Sequence, residues 1–237
     1  MSQSARMNRL ASVAKVAVAF LLARVFVSIL YEYRLYFPAD FDAAFLTGRE
    51  QTFVGLYRIA FYTHIISAPL SILFGSALMS SAGMKRFPRW HRLLGRMQVA
   101  CVVLFVAPSG FVMATEALAG TVATVGFMFQ AIATAGCAMI ATVHAIKRNF
   151  AVHRKWASRC FVLLISPLLL RVVAGLAIVT NNETLLFFQL NAWLSWIIPV
   201  LTYELWIRCR RVLRTCGWIS RLRWPLTKRF HKHNKAM

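Results

Sequence analysis

Acidic residues are scarce in this chain of 237 residues, which has 7 Asp and Glu against 28 Lys and Arg and a formal net charge of +21. A charge of this size often indicates a nucleic-acid partner, because basic proteins gain affinity by releasing the counterions of phosphates. Here the cations stand between apolar runs longer than about 18 residues, which is the length that indicates membrane-spanning helices. We therefore expect no nucleic-acid partner.

The motifs of several enzyme classes are also missing. The chain has no Gly-rich phosphate loop, no GxSxG nucleophile elbow and no HExxH zinc motif. Its 5 cysteines form no CxxC pair, which predicts reduced thiols and argues against a zinc site or a covalently attached haem. The sequence thus identifies no catalytic residue and leaves open whether the protein is an enzyme.

Apolar residues make up 59% of the chain, and the mean hydropathy is +0.60. They form six segments, each long enough to cross a hydrocarbon core of about 30 Å at about 1.5 Å per residue. Backbone groups in lipid must be hydrogen-bonded internally, so these segments are predicted to be α-helices. The six segments are Leu10–Leu30, Leu56–Ser80, Met97–Thr115, Thr121–Ile146, Cys160–Thr180 and Phe187–Ile207.

The predicted fold is therefore an all-α polytopic membrane helix bundle of about six transmembrane helices. The first apolar run lacks a clear cleavage site and is interpreted as a retained span, not as a signal peptide. We divide the chain into a first helix with an outer loop (1–55), a five-helix membrane domain (56–208) and a basic cytoplasmic tail (209–237).

Charge predicts the orientation. The N-terminus, the second and fourth loops and the tail carry 23 of the 28 Lys and Arg, whereas six of the 7 acidic residues fall on the opposite side. By the positive-inside rule, both termini are cytoplasmic. The tail mixes cations with Trp218, Trp224 and Phe230, a pattern typical of a segment on anionic headgroups, although a solvated tail that only fixes topology is the alternative.

Four ionisable residues lie within the predicted spans: Arg24, His64, Arg171 and Glu204. Such groups cost about 3 kcal/mol at a helix centre, so they are functional candidates by default. Glu204 has Arg208 one turn later as an ion-pair partner. Arg171 has no such neighbour, so it needs a carbonyl, an acid from another helix or an anionic ligand.

Three further histidines lie near the cytoplasmic ends of spans: His91, His144 and His153. Two imidazoles that face each other from different helices can hold a haem iron axially, so we predict a haem held by His91 with His153 or His144. Gly95, one turn after His91, would let a flat ring approach the backbone. Anionic groups such as haem propionates would pair with the nearby arginines, which are Arg92, Arg96, Arg154 and Arg159.

The alternative interpretation of these histidines is structural. A His-Arg pair at the mouth of a span also anchors a helix at the membrane interface, where Trp90 and Trp156 would join the aromatic belt. His64 is a separate case, because its depth differs from that of His144 by about 20 Å at about 1.5 Å per residue. These two histidines therefore cannot ligate one haem.

Several of these motifs together resemble a bacterial family of multi-pass membrane proteins known as domain of unknown function 2306. The resemblance extends over about 57–208 and rests on the strings His-Arg-Leu-Leu-Gly-Arg (91–96), His-Arg-Lys-Trp-Ala-Ser-Arg (153–159) and Trp-Leu-Ser-Trp (193–196), with Arg171 and Glu204. His64 also matches a histidine of the family. Ala157 departs from the pattern, which usually has Met after the Trp. The resemblance implies a membrane fold and the bacterial inner membrane, but no activity.

A weaker likeness concerns only the string 91–96, which is similar to a segment of transmembrane di-haem b-type cytochromes in which the histidine is a haem ligand. It implies electron transfer through a b-type haem, our leading hypothesis. The rivals are a non-enzymatic role, binding an anionic lipid or a partner subunit through the basic segments, and transport of a small molecule around Arg24, His64 and Arg171.

Overall fold

The computed structural model describes residues 3–43, 45–80 and 86–215. It has six helices long and apolar enough to cross a membrane: Arg9–Leu35, Gly55–Met79, Pro88–Ala114, Gly120–Ile146, Phe150–Val179 and Leu185–Val212. In the described ranges no strand forms beyond one isolated bridge between Tyr36 and Ala39. The predicted six-span, all-α membrane fold is confirmed.

Apart from the segment between α1 and α2, the helices follow one another with short connections. They are α1 (Gln3–Glu32), α2 (Gly55–Met79), α3 (Pro88–Ala100), α4 (Ala107–Ala114), α5 (Gly120–Ile146), α6 (Phe150–Val179) and α7 (Leu185–Thr215). A 3₁₀ turn, Tyr33–Leu35, follows α1, and a π-helical segment, Cys101–Val106, joins α3 to α4 within the third span. The chain separates into two compact units, 1–199 and 200–237, and the functional division that we place after residues 55 and 208 stays a prediction.

Two spans begin earlier than their apolar segments predict. Pro88 occupies the first turn of α3, where its fixed φ suits a helix and its missing N–H costs nothing. The side chain of Asn149 accepts a hydrogen bond from the backbone N–H of Val152 at 3.4 Å and so caps α6. The basic motifs that precede the apolar runs are therefore first helical turns and not loops.

Most of the apolar surface of the six spans is not covered by the protein itself. None of the most apolar stretch of the first span is buried within the protein, and no more than 33% of any other span is. The contacts between helices instead involve small and polar residues, such as Ser71 at 0% and Ser166 at 1% exposure. Small residues let backbones approach closely, which is how helices associate when lipid removes the usual hydrophobic drive.

Glycine permits one of these close approaches. A Cβ at Gly75 of α2 would lie 2.7 Å from the ring of Phe161 on α6, closer than real side chains approach. The two helices are held at a separation that only glycine allows at this point. A hydrogen bond also joins α5 to α6, because Gln130 of α5 donates to the Ser166 hydroxyl of α6 at 2.9 Å.

Residues 33–43 and 45–54 form a compact aromatic cap over one end of the helices. Tyr36, Leu46 and Phe53 are buried in it against Phe61 and Ile65 of α2. The rings meet edge to face, with 5.2 Å between the centroids of Phe53 and Phe61, a geometry that aromatic pairs prefer. The segment that the sequence analysis treats as an outer loop is thus an ordered element with its own core.

Candidate functional site

Polar side chains gather at two separate levels of the bundle. The end where α2 stops, α3 starts, α5 stops and α6 starts carries the basic motifs, and we call it the basic end. The opposite end lies under the aromatic cap. Each level contains residues that the sequence analysis selects.

The histidine group lies at the basic end. His91 stands in the first turn of α3, His144 in the last turn of α5 and His153 in the first turn of α6. His91 and His153 are close enough to interact electrostatically although they belong to different helices. The structure therefore places all three histidines at the same end of the bundle.

A backbone hydrogen bond orients His153. Its Nδ1 lies 2.8 Å from the carbonyl oxygen of Ala141 on α5. A carbonyl only accepts, so Nδ1 carries the proton, and in the neutral ring Nε2 keeps a free lone pair. Metal-ligating histidines usually have this arrangement, because the second bond fixes the tautomer and the ring.

His144 differs from His153 in its surroundings. Its Nδ1 is buried and has no hydrogen-bond partner, a condition that is rare for buried polar atoms. Gly95 borders open space, since a Cβ there would meet nothing within 4 Å. In the described part of the chain, no three His, Cys, Asp or Glu side chains are grouped so that they would hold a metal ion by themselves.

The arginines of the basic end face outward. Arg92, Arg96 and Arg154 are exposed, whereas Arg159 is half-buried with its guanidinium 4.3 Å from the ring centroid of Trp156. This stacking is a cation–π contact and holds Arg159 at the depth of an interfacial Trp. The three exposed guanidiniums are accessible to headgroups or to another anion.

Under the cap lies a cavity of about 340 Å³ between α1, α2, α4, α5 and α6. Most of its wall is apolar, with a few polar groups that converge on it, which is the usual character of a small-molecule site. The polar and aromatic groups in this wall include Tyr33, Tyr36, Arg49, His64, Ser71, Gln130, Thr134 and Arg171. His64 and Arg171, selected separately from the sequence, therefore share one cavity.

Arg171 finds an acid from another helix. Its Nη1 lies 3.3 Å from Oε2 of Glu32 at the end of α1, and both side chains are 38% exposed. Burial, followed by the Glu32 charge, raises the pKa of the nearby Tyr36 phenol in the cap, and the Arg171 charge acts in the opposite direction. An acid from another helix is one of the three partners that the sequence predicts for Arg171, and the structure identifies this acid as Glu32.

Arg49 is the residue that the sequence analysis misses. It is only 6% exposed, and its Nε donates to the Phe45 carbonyl at 2.9 Å. Its Nη1 donates to the Tyr57 hydroxyl at 3.0 Å and to the Glu116 carbonyl. One guanidinium thus ties the cap to α2 and to the connection between α4 and α5. The signal that would have revealed it is the density of aromatic residues around it, which is unusual for a loop.

His64 is held by the third span. Its Nδ1 lies 3.0 Å from the Ser109 hydroxyl, which itself donates to backbone carbonyls of its own helix. Because the hydroxyl proton is used there, Nδ1 is the donor and Nε2 is the acceptor of the ring. A Cβ at Gly110 would lie 3.1 Å from the imidazole, so the glycine makes room for it.

Two of the selected residues lie elsewhere. Arg24 is exposed on α1 and does not line the cavity. Glu204 is half-buried on α7, in the second compact unit. Only His64 and Arg171 of the four intramembrane candidates therefore meet at the cavity. The aromatic residues Trp218, Trp224 and Phe230, which the sequence places on anionic headgroups, lie outside the described residues, as do His231 and His233 of the same tail.

A family model described as "Predicted membrane protein (DUF2306)" matches residues 61–207. The chain belongs to this family. The match covers both the histidine group and most of the cavity wall, and it confirms the resemblance seen in the motifs at 91–96 and 153–159.

No curated protein and no solved structure matches the chain. The weaker likeness to di-haem cytochromes therefore stays a prediction. What the family and the helices establish is a multi-pass membrane protein. Any finer function rests on the geometry of the two sites.

Proposed function

We propose that this protein is an electron carrier of the bacterial inner membrane that binds one b-type haem between His91 and His153. The observation that carries the proposal is the hydrogen bond from His153 Nδ1 to the Ala141 carbonyl, 2.8 Å long. It leaves Nε2 with a lone pair on a ring of fixed tautomer, near a second imidazole on another helix. Two neutral imidazoles are a common axial pair for haem iron.

The surroundings of the pair fit a flat anionic cofactor. Open space beside Gly95 leaves room along α3, and the exposed Arg92, Arg96 and Arg154 would pair with propionates. His144, whose buried Nδ1 has no partner, is the alternative ligand. Bound haem would supply reversible one-electron chemistry, while the protein would position it and tune its potential through ligation, hydrogen bonding and burial.

The decisive experiment is a reduced-minus-oxidised absorption spectrum of the full-length protein, purified in mild detergent from a haem-replete host. A low-spin haem with two imidazole ligands should give a sharp visible band on reduction. His91→Ala and His153→Ala should each abolish the band, whereas His144→Ala should retain it. His231→Ala, in the tail, is the control and should leave the band unchanged.

Loss of the band in His144→Ala, with retention in His153→Ala, would contradict the assignment of the axial pair. A colourless protein that still extracts as a discrete species would reject the haem itself. The histidines would then be interfacial anchors.

A second candidate function is supported by the exposure of Arg92, Arg96 and Arg154 at one end of the helices. Three accessible guanidiniums at that level would bind anionic headgroups or an acidic partner subunit, each cation contributing about 1 kcal/mol near a charged surface. A colourless protein that co-purifies with anionic lipid, and loses it when these arginines are replaced by Gln, would favour this function over electron transfer.

Both functions require an orientation, and we propose that both termini are cytoplasmic. The distribution of Lys and Arg supports it, since 23 of 28 fall on one side. Reporter fusions after Lys147 and after Arg211 should show cytoplasmic activity, and a fusion within 38–49 should show external activity. An external reporter after Arg211 would overturn the orientation or the number of spans.

A further inference from the structure

The cavity under the cap has a charge arrangement that the haem proposal does not use. Arg49 is 6% exposed, and its three described hydrogen bonds all end on neutral oxygens, those of Phe45, Tyr57 and Glu116. Burying a cation without a negative partner is costly, and the cost falls when an anion is bound beside it. The same residue lines the cavity.

The hydrogen-bond inventory of Arg49 points in the same direction. A guanidinium has five N–H groups. The bonds to Phe45, Tyr57 and Glu116 use the one on Nε and the two on Nη1. The two remaining N–H groups, both on Nη2, donate to no described residue. Each free N–H group of a buried guanidinium can donate a charge-assisted hydrogen bond to a carboxylate oxygen.

Arg171 adds a second cation to the same wall, and its charge is neutralised in part by Glu32 at 3.3 Å. The rest of the wall is mostly aliphatic and aromatic, including Phe26, Phe127 and Leu168. A site with one cationic pole and a long apolar wall selects against small inorganic anions, because they would leave the apolar surface unfilled. Its volume of about 340 Å³ lies in the range of small-molecule pockets, about 300–1,000 Å³.

We infer that this cavity binds a small apolar monocarboxylic acid, with its carboxylate at Arg49 and its apolar part between the helices. Arg171 contributes positive charge to the same site, and Glu32 limits that contribution. This site is independent of the haem proposal, since it shares no residue with the histidine group. The acid has two sources, an acyl chain from the membrane or an aromatic acid from solution.

The test is ligand-induced thermal stabilisation of the full-length protein in a non-ionic detergent, with octanoate and benzoate as the two probes. A ligand that binds only the folded state raises the melting temperature in a concentration-dependent way. Octanoate should do so, whereas methyl octanoate, which keeps the chain without the charge, should not. A larger rise in melting temperature with benzoate than with octanoate would identify an aromatic acid as the ligand. A larger rise with octanoate would identify an acyl chain, and either result supports the site.

Substitutions of the two partners of the Arg171–Glu32 ion pair should change the affinity for octanoate in opposite directions. Arg171→Gln removes a cation and leaves the Glu32 carboxylate unpaired, so octanoate should bind about tenfold more weakly. Glu32→Gln frees Arg171, so octanoate should bind several-fold more tightly. A merely structural effect would weaken binding in both variants. Ala131→Leu, which fills part of the cavity without touching a charge, should abolish binding.

Arg24→Gln is the matched control, because Arg24 is an arginine of the first span that does not line the cavity. This variant should bind octanoate with the same affinity as the unmodified protein. The inference is overturned if neither acid raises the melting temperature, if methyl octanoate does so equally, or if Arg171→Gln and Glu32→Gln shift binding in the same direction. Inorganic phosphate as effective as octanoate would also overturn it, since charge alone would then account for binding.

Discussion

Arg49→Met should lower the free energy of unfolding by about 2–4 kcal/mol, although the substitution removes a buried charge. Hydrogen bonds from a charged donor contribute about 1.5–3 kcal/mol each, and Arg49 makes three of them. Relief of the desolvation cost of the guanidinium offsets part of this loss. The net effect remains destabilising because Met leaves two backbone carbonyls and a hydroxyl without their donor. Unfolding monitored by temperature or denaturant in detergent measures it.

Arg49→Lys separates charge from geometry. Lys retains the charge but has no rigid fork, so it should recover only part of the stability. Arg34→Met is the control, because Arg34 is exposed and stacks on Tyr31 at 3.8 Å; we expect a loss of about 1 kcal/mol or less. Wild-type stability in Arg49→Met would show that Arg49 does not hold the cap in place.

Phe61→Ala should lower the free energy of unfolding by at least as much, about 3–5 kcal/mol. Phe61 is 1% exposed, and its ring contacts those of Tyr36, Phe45 and Phe53 at centroid distances of 5.2, 5.5 and 5.2 Å. Removing the ring opens a cavity and breaks three aromatic pairs of the cap core. The measurement is again the unfolding transition in detergent.

Phe105→Ala is the comparison for this effect. Phe105 lies in the π-helical segment and is 48% exposed, so its truncation should change stability by no more than about 1 kcal/mol. Equal losses in Phe61→Ala and Phe105→Ala would mean that the aromatic cap contributes no more to stability than a side chain that faces lipid.

The spans could be predicted from sequence because their signal is local. A run of about twenty apolar residues satisfies the requirement for crossing a bilayer whatever the rest of the chain does. Their starts were less predictable, since Pro88 and Asn149 extend α3 and α6 through segments rich in cations. Hydropathy alone does not register a proline in the first turn or a side-chain cap.

Residues of the candidate site could be predicted only where an ionisable side chain stands within an apolar, membrane-spanning segment. His64 and Arg171 stand out because ionisable groups in apolar segments are costly. Arg49 does not stand out, because an arginine in a connecting segment is ordinary until packing buries it. Its partner Glu116 is 67 residues away along the chain, and nothing local indicates that pairing. The contact of His153 with Ala141 is hidden for a similar reason, since any backbone carbonyl is a possible acceptor.

The contact between Arg49 and the Glu116 carbonyl also has a consequence for biogenesis. The cap and α2 leave the ribosome before the third span, whereas Glu116 follows that span. At about 5–20 residues per second, the 67 residues between the two partners take roughly 3–13 s to synthesise. During that interval the Arg49 guanidinium lacks one of its acceptors. The hydrogen bond that joins the cap to the connection between α4 and α5 is thus a late event in assembly, because it can form only after the third span has been synthesised.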